Sequence, residues 1–445
     1  MNGPFDILII GDDEPALCAA ACAAKAGSRV GVLRKNATHR KSFTASTPAI
    51  PNFVWRRLEL QDYDLALNPV STRVTLLNGA KEISTFYNDR QTADWLAAKE
   101  IKDHHIWSDF TDEVASLAHD NFVADLQFST KKKLRNGLAK LLSDPYALDR
   151  AARMTGASET LLDDYLTDGS LKAHLSAHAL SPSGFGPREQ GSAAALINFL
   201  DETAWPVRPD KSSQSIRTIL EKICQTEGVS FLAGRITEVT TASNKHIALS
   251  IGADESVKTR IIFFATPETA RAYGVDQNLS SPMVDAPGHA NFSVKFKLAE
   301  FIDPPAGDRD GIFQIVDSAT EIQEARDSAV KGQFPKKLPV EFEYTRNGEI
   351  IARSSFLPGA FFEDGEWRGW TGQDRQAAVT LIKERLTSRM PGLAAQIRRT
   401  ETEVVTPYLG ETPFAGCDQI IVQCRPHNTI SAAVKLIDEV IGRDE

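Results

Sequence analysis

The N-terminal stretch constrains the fold more than any other part of the sequence. Residues Phe5 to Ile10 form a short apolar run, which is typical of a parallel strand buried on both faces. Gly11 follows where the chain must turn, and Pro15 suits the first turn of a helix. The helical residues Leu17 to Ala26 are nearly all small, so this helix can lie close to a sheet. With the apolar run Arg29 to Leu33 behind it, the stretch predicts a strand–helix–strand unit.

The turn after the first strand is where such a unit binds a dinucleotide. The usual pattern is G-x-G-x-x-G, because glycines let backbone N–H groups approach the pyrophosphate at the helix N-terminus. Here the three glycine places hold Gly11, Asp13 and Ala16. Ala16 still permits close helix packing, but Asp13 belongs to the acidic run Asp12 to Glu14. Two like charges about 4 Å apart cost roughly 4 kcal/mol at an effective dielectric of about 20, which is about a thousandfold in affinity.

The end of the second strand departs from the same pattern. Arg34 stands where an acidic residue usually accepts hydrogen bonds from the ribose hydroxyls, and an arginine side chain has no acceptor. The simplest role for Asp12 to Glu14 is to cap the helix N-terminus. A capping carboxylate occupies the anion position itself, so this role also opposes a pyrophosphate.

Composition limits the class of protein. With 445 residues the chain is long enough for two or three domains. The net charge of -9 argues against a nucleic-acid surface. No apolar run approaches the ~20 residues of a membrane span, and the N-terminus has no basic region before a long apolar segment. We therefore expect a cytoplasmic protein without a transmembrane segment. The five cysteines are an odd number, which argues against a disulfide framework.

The rest of the chain alternates between helical and strand-rich stretches. Helical spacing is found over residues 89–118, 144–179, 192–200, 215–227 and 373–390, and strand patterns are found over 67–84, 229–264, 290–298, 311–316, 340–356 and 400–407. Residues 181–191 are rich in glycine and proline and predict an ordered loop. The C-terminal residues 418–441 again have a strand–turn–helix pattern, which could return to the first sheet.

Over nearly its full length the chain resembles the carotenoid desaturase (phytoene dehydrogenase-like) branch of the FAD-dependent oxidoreductases, within the flavin amine oxidase superfamily. The resemblance rests on Asp6 to Gly11 with its alanine-rich helix, on segments within Leu171 to Arg188, on Gly228 to Phe231, and on Ile261 to Pro267. It implies an α/β and α+β fold, in which a discontinuous Rossmann-like FAD/NAD(P)-binding domain carries an inserted substrate-type domain of mixed sheet and helices.

The resemblance also implies a domain division. Residues 1–72, 201–270 and 406–445 are expected to form the dinucleotide-binding-type domain, and residues 73–200 and 271–405 the helical and sheet parts of the substrate-type domain. Such proteins are expected to bind FAD and to oxidise or isomerise lipophilic or small organic substrates.

The departures from the family pattern all fall on cofactor contacts. Residues 37–46 lack the expected glycine pair, residues 208–214 replace a glycine-rich turn, and residues 424–428 replace glycines near the flavin. The resulting degenerate cofactor-binding positions are Gly11, Asp13, Ala16, Arg34, Asp210 and Arg425. We therefore expect that no FAD is bound tightly. The sequence identifies no catalytic residue and no metal site.

Three functional hypotheses follow. The chain could be a non-catalytic homologue that works beside a related flavoprotein subunit, or with a second copy of itself, and could still bind a small molecule. It could instead be an active oxidoreductase that binds flavin or NADP unconventionally, since an arginine at position 34 can accommodate a ribose 2′-phosphate. A hydrolase or lyase using Cys424 and His427 is the third, with an ordinary turn as the plainer interpretation. Residues 356–362 and 367–370 are either a contact surface or core.

Overall fold

The structure is a computed structural model. It describes residues 4–34, 50, 52–119, 146–200, 205–209, 215–234, 236–243, 246–251, 255–265, 289–304, 307–345, 347–405, 420–422, 433–434 and 437. The strands are β1 (Phe5–Ile10), β2 (Val30–Arg34), β3 (Leu67–Pro69), β4 (Thr72–Leu76), β5 (Glu82–Phe86), β6 (Val207–Pro209), β7 (Ser230–Ala233), β8 (Ile236–Ser243), β9 (His246–Ile251), β10 (Glu255–Phe264), β11 (His289–Leu298), β12 (Ile312–Ile315), β13 (Val340–Tyr344), β14 (Ile350–Pro358), β15 (Phe361–Glu363), β16 (Glu366–Arg368), β17 (Ile397–Val405) and β18 (Ile420–Val422).

The α-helices of the described residues follow the same chain order. They are α1 (Glu14–Lys25), α2 (Asn52–Arg57), α3 (Asp89–Ala98), α4 (Trp107–His119), α5 (Ala147–Thr155), α6 (Ser158–Tyr165), α7 (Gly169–Leu180), α8 (Ser192–Leu200), α9 (Ile216–Thr226), α10 (Ala319–Val330), α11 (Gly372–Thr387) and α12 (Leu393–Gln396).

The first sheet is built from three separate stretches of the chain. Its order is β7-β2-β1-β10-β9-β8, with β18 beside β10. Strands β7, β2, β1, β10 and β18 run parallel, while β8, β9 and β10 form an antiparallel meander. The predicted βαβ unit at the N-terminus is confirmed, and the C-terminal strand returns to this sheet as the sequence pattern allowed.

Close packing of α1 on this sheet explains the run of small residues. The helical residues Pro15 to Ala23 are all buried, together with Ile219, Leu220 and Cys224 from α9. A Cβ atom on Gly31 of β2 would lie 3.0 Å from Leu8 Cδ1, so glycine is needed for adjacent side chains to fit. The first sheet and the helices α1 and α9 therefore form two closely packed layers.

The described cysteines belong to this layer and form no disulfide. Cys18, Cys22 and Cys224 are buried thiols. Burial raises the pKa of the Cys18 thiol and raises the pKa of Cys224 to about 12. Such thiols stay protonated at neutral pH and are poor nucleophiles or metal ligands.

The second sheet has the order β17-β11-β14-β13-β12-β4-β5. It is mixed, because β12 and β4 run parallel while the other neighbours run antiparallel. Aromatic side chains fill its core, among them Phe292, Phe313 and Phe342, with the Phe313 and Phe342 rings stacked at 4.9 Å. The combination of a Rossmann-like sheet and a mixed sheet with helices confirms the predicted fold class.

Two short strands join the two sheets. Strands β3 and β6 pair in antiparallel fashion. Strand β3 directly precedes β4 of the second sheet, and β6 precedes α9 and β7 of the first sheet. Trp205 Nε1 donates to the Val70 carbonyl oxygen at 2.7 Å, and Val70 N donates to Pro206 O at 2.9 Å. These hydrogen bonds extend the pairing and fix the chain where it passes between the sheets.

Two elements of the second sheet's layer were not predicted. Helix α10 has a polar sequence whose apolar residues do not form a strong stripe, although Ser318 accepts a hydrogen bond from Glu321 N at its N-terminus. The hairpin β15–β16 includes parts of residues 356–362 and 367–370, for which the sequence left core and contact surface as alternatives. Most of that segment is core, because Phe356, Leu357 and Phe361 are buried.

A buried carboxylate connects two helical segments of this layer and gives the first test of the structure. Asp103 accepts hydrogen bonds from Thr167 N (2.8 Å), Thr167 Oγ1 (2.8 Å) and Asp168 N (2.6 Å). Asp103→Ala removes three hydrogen bonds to a buried carboxylate, which costs about 3 kcal/mol of unfolding free energy. Asp94→Ala, on the exposed face of α3, is the control. Denaturant unfolding that gives equal values for both variants would contradict this account.

Candidate functional site

The first βα turn has the backbone of a nucleotide-binding turn and different side chains. Gly11 has φ 108°, a conformation that favours glycine, and its N–H donates to Leu33 O at 3.0 Å. Asp13 is the N-cap of α1, and its Oδ1 accepts from Ala16 N at 3.0 Å. The predicted capping role is therefore confirmed. The Asp13 carboxylate is bonded to the Ala16 N–H, which lies at the helix N-terminus where an anion would bind.

Four alternating charges continue from this turn to the end of β2. Asp12 pairs with Arg217 of α9, Arg217 Nε lies 3.3 Å from Glu221 Oε1, and Arg34 Nη2 lies 3.1 Å from the same oxygen. We call Asp12, Arg217, Glu221 and Arg34 the ion-pair chain. The Arg34 guanidinium also lies over the Phe231 ring, 3.9 Å from its centroid, so the ring and Glu221 together fix the arginine.

The ion-pair chain spans the two points that a dinucleotide normally contacts. One end lies at the helix N-terminus, where a pyrophosphate binds, and the other at the end of β2, where a ribose binds. Every member has an oppositely charged neighbour, and the side chains are only 22 to 32% exposed. A dinucleotide would have to displace these pairs and approach Asp12 and Asp13. These residues do not fit a conventionally bound FAD or NAD(P).

The sequence pattern predicted only part of this group of residues around the first turn. Gly11, Asp13, Ala16 and Arg34 lie together around the turn as predicted, whereas Arg217 and Glu221 were missed. The available signal was their i,i+4 spacing with opposite charges on an amphipathic helix. The predicted positions Asp210 and Arg425 lie outside the described residues, as do Cys424 and His427, the glycine-poor segment 37–46 and residues 266–267.

A second group of charges is buried on the second sheet. Neighbouring strands place Gln314, Glu341 and Arg353 side by side, and Glu343 lies two residues further along β13. Gln314 Nε2 donates to Glu341 Oε2 at 2.6 Å, and Arg353 pairs with Glu341 and lies 3.6 Å from Glu343 Oε1. Burial lowers the pKa of Arg353, but Glu341 and Glu343 outweigh it and raise that pKa above its usual value. We call these four residues the polar belt.

The polar belt continues to the strands that join the sheets. Arg208 of β6 lies 3.2 Å from Glu343 Oε2 and donates to Gly311 O at 3.4 Å. Glu341 and Glu343 thus each contact an arginine, so neither is positioned as a free general base or nucleophile. The belt serves to anchor the joining strands on the second sheet.

Arg73 lies at the other end of the same face and has a different environment. Its guanidinium is held between two rings, 4.1 Å from the Phe199 centroid and 4.0 Å from the Trp205 centroid. Burial lowers the pKa of Arg73 to about 9, against the raising effect of Glu341. Its Nη1 donates to Phe199 O at 3.3 Å. Arg73 is therefore a charged core residue that holds α8 to the sheet.

Two buried histidines lie beside Arg73. His174 Nδ1 and Nε2 lie 2.8 Å from Thr75 Oγ1 and 3.0 Å from Thr85 Oγ1. Burial, with a smaller effect of Arg73, lowers the pKa of His174 to about 3. Burial also lowers the pKa of His178 well below its usual value. Both imidazoles are therefore neutral in the folded protein at physiological pH.

The described residues contain neither a metal site nor a membrane-spanning helix. No group of three or more histidine, cysteine, aspartate or glutamate side chains is arranged to hold a metal ion within that part of the chain. Within the same residues, no helix is both long and apolar enough to cross a bilayer.

Comparisons with known proteins agree with the fold. No protein-family model matches the chain, and no curated protein matches it in sequence. Among solved structures, cyclohexylamine oxidase from Brevibacterium oxydans has a TM-score of 0.53 at 12% identity, with 99% of each chain covered. Putrescine oxidase bound to putrescine has the same score and identity, with 99% of this chain and 100% of the other covered.

A third structure widens the comparison. RAB GDI from Plasmodium falciparum has a TM-score of 0.54 at 11% identity, with 99% of this chain and 98% of the other covered. At such low identity these likenesses show the fold alone. The chain has the architecture of these proteins over its whole length. The carotenoid desaturase branch within that architecture stays a prediction.

The buried histidines predict a pH dependence of stability. Their folded pKa values lie below the ordinary 6.5, so the unfolded chain takes up protons first as the pH falls. Stability is full above pH 6.5 and decreases toward about 3, by about 1.4 kcal/mol per pH unit for each histidine. His174→Gln should reduce the slope of unfolding free energy between about pH 6 and 4, whereas the exposed His104→Gln should not. Equal slopes in the two variants would contradict the buried neutral state.

Proposed function

We propose that the chain is a non-catalytic relative of FAD-dependent oxidoreductases, which binds no FAD tightly and works through a partner. The observation that carries this proposal is the ion-pair chain of Asp12, Arg217, Glu221 and Arg34, whose charges already neutralise one another where a dinucleotide's pyrophosphate and ribose would bind. The carboxylate of Asp13, which caps α1, adds a charge that repels phosphate.

A dinucleotide bound at the first turn would replace the contacts of the ion-pair chain. Each partly exposed ion pair contributes only about 0.2–1 kcal/mol, so the pairs alone would not keep a tight ligand out. Displacing them, however, leaves Asp12 and Asp13 facing two phosphate charges without Arg217 beside them. The repulsion at about 4 Å is roughly 4 kcal/mol for one such contact. Since the helix dipole returns at most about 1 kcal/mol, the balance is against binding.

The solved structures with this fold are compatible with such a role. Two of them are the oxidases for putrescine and cyclohexylamine, and the third is RAB GDI. The fold therefore occurs both in proteins named as oxidases and in one that is not. Function in this architecture has to be argued from the site.

A second candidate is an oxidoreductase that binds FAD or NADP in an altered way. It is favoured by the intact backbone of the first turn, with Gly11 at φ 108°, and by the oxidases among the structures of this fold. Arg34 at the end of β2 could accept a 2′-phosphate, but only after leaving Glu221. Its substrate would be a lipophilic or small organic molecule.

A partner surface is available on the β15–β16 hairpin. Phe362 is 48% exposed, and its ring lies 5.0 Å from that of Trp367 on the opposite strand. The hairpin is held firmly, because a Cβ atom on Gly332 would meet Phe362 N at 2.5 Å and Trp367 Cζ3 at 2.7 Å. A rigidly placed aromatic pair is the kind of group that anchors protein interfaces. We propose a related flavoprotein subunit, or a second copy, as partner.

Flavin content tests the first part of this proposal. We expect the purified protein to contain no stoichiometric FAD, measured as flavin released on denaturation. The single variant Asp13→Gly should also lack flavin, because Asp12 and Arg34 still oppose it. The triple variant Asp12→Gly, Asp13→Gly, Arg34→Glu is expected to gain FAD affinity. One FAD per wild-type chain would refute the proposal and favour the oxidoreductase.

Recovery of a complex tests the second part. Affinity purification from the native host, followed by mass measurement of the intact assembly, should find a stoichiometric partner or a dimer. Phe362→Ser should reduce its recovery at least tenfold, whereas Phe301→Ser, a less exposed aromatic away from the hairpin, should not. A stable monomer with no stoichiometric partner would contradict the partner role and leave the flavin result standing by itself.

A further inference from the structure

A groove of about 560 Å³ lies at the edge of the second sheet. Its floor is one face of β4 and β5, where Thr72, Val74, Ser84 and Phe86 alternate with residues that point to the opposite face. Its wall is helix α3, which presents Gln91 and Trp95 from successive turns. This volume suits a small molecule, and none of its lining residues belongs to the ion-pair chain or the polar belt.

The chemistry of the lining points to a cation. Carboxylates of Glu82 and Asp308 and the aromatic rings of Phe86, Tyr87 and Trp95 line the groove, and its lining contains no lysine or arginine. Aromatic faces and carboxylates both attract an ammonium group.

The protein itself places an ammonium at one end of this groove. Lys99, one turn beyond Trp95, has its Nζ 5.5 Å from the centroid of the Trp95 ring and 3.8 Å from Glu82 Oε1. The lysine side chain is half exposed, so this contact is weak and can be displaced. The Lys99 contact therefore marks a position that suits a primary ammonium group.

Two residues of the groove lining, Ser84 and Asp308, carry hydrogen-bonding groups. Ser84 lines the groove, is 3% exposed and carries a hydroxyl group. At the far end, Asp308 Oδ2 accepts from Ser71 Oγ and Thr72 Oγ1, both at 2.5 Å, which holds the carboxylate in place. Asp308 is bonded to Thr72, and Glu82 pairs with Leu76, four residues further along β4. These two strand positions are about 13 Å apart, so the carboxylates lie toward opposite ends of the groove.

We propose that this groove binds a small organic molecule with a primary ammonium group, which displaces Lys99 from Trp95 and Glu82. The ammonium lies over Trp95 against Glu82, the apolar part lies along Val74 and Phe86, and Ser84 gives a hydrogen bond. A second ammonium at the other end of the groove reaches Asp308. A linear diamine therefore binds more tightly than a monoamine of the same length. This site is independent of the proposed loss of FAD.

Calorimetric titration of the full-length protein tests this with three probes of one length: 1,8-diaminooctane, n-octylamine and 1,8-octanediol. We expect affinity to decrease in that order, with no measurable binding of the neutral diol. Glu82→Gln should weaken binding of both amines at least tenfold. Asp308→Asn should reduce the affinity of the diamine to that of the monoamine. Equal binding of the diol and the diamine would overturn the proposal.

The decisive variant is Lys99→Ala, which removes the internal competitor. It should bind n-octylamine at least threefold more tightly than the wild type, whereas Lys102→Ala, an exposed lysine nearby, should not change the affinity. Nonspecific attraction of amines to an acidic surface predicts equal gains from the two variants. Unchanged or weaker binding by Lys99→Ala, with the protein shown to be folded by circular dichroism, would contradict the proposal.

Discussion

The contact between Asp12 and Arg217 has the most far-reaching consequences in this structure. It links the turn after the first strand of the parallel sheet to helix α9, across the cleft that a dinucleotide fills in proteins with such a turn. Glu221 and Arg34 extend the connection to the end of β2. A bound nucleotide usually gives stability to this region by mass action. Under the proposed function, the chain supplies contacts of its own in place of those that a nucleotide would make.

The second sheet uses charge for a different purpose. Glu343 and Arg208 form a buried pair between the sheet and a joining strand, and breaking one partner of such a pair is costly because the other charge stays buried. Arg73 keeps its charge between two aromatic rings. These interactions fix how the joining strands meet the second sheet. The first sheet therefore has an ionic network at its first turn, and the second sheet has one that anchors a joining strand.

Local patterns predicted the elements whose burial is regular. The apolar run before Gly11 and the small residues of α1 gave the βαβ unit, because a doubly buried strand and a closely packed helix have distinctive compositions. Helix α10 was missed since its apolar positions form no clear stripe. Arg217 was missed for a stronger reason: its partner Asp12 is 205 residues away, and no local pattern encodes such a contact. The substitution at Asp13 was visible from the sequence, but the charges that neutralise its neighbour were not.

The central claim is that protein ion pairs have taken the place of the nucleotide, and thermal unfolding with and without FAD tests it most directly. A ligand that binds only the folded protein raises stability by about 4 kcal/mol at a thousandfold excess over its Kd. This account predicts the same Tm for the wild type at zero and at high micromolar FAD. It also predicts a rise in Tm with FAD for the triple variant Asp12→Gly, Asp13→Gly, Arg34→Glu. A rise of several degrees in the wild type itself would contradict the claim.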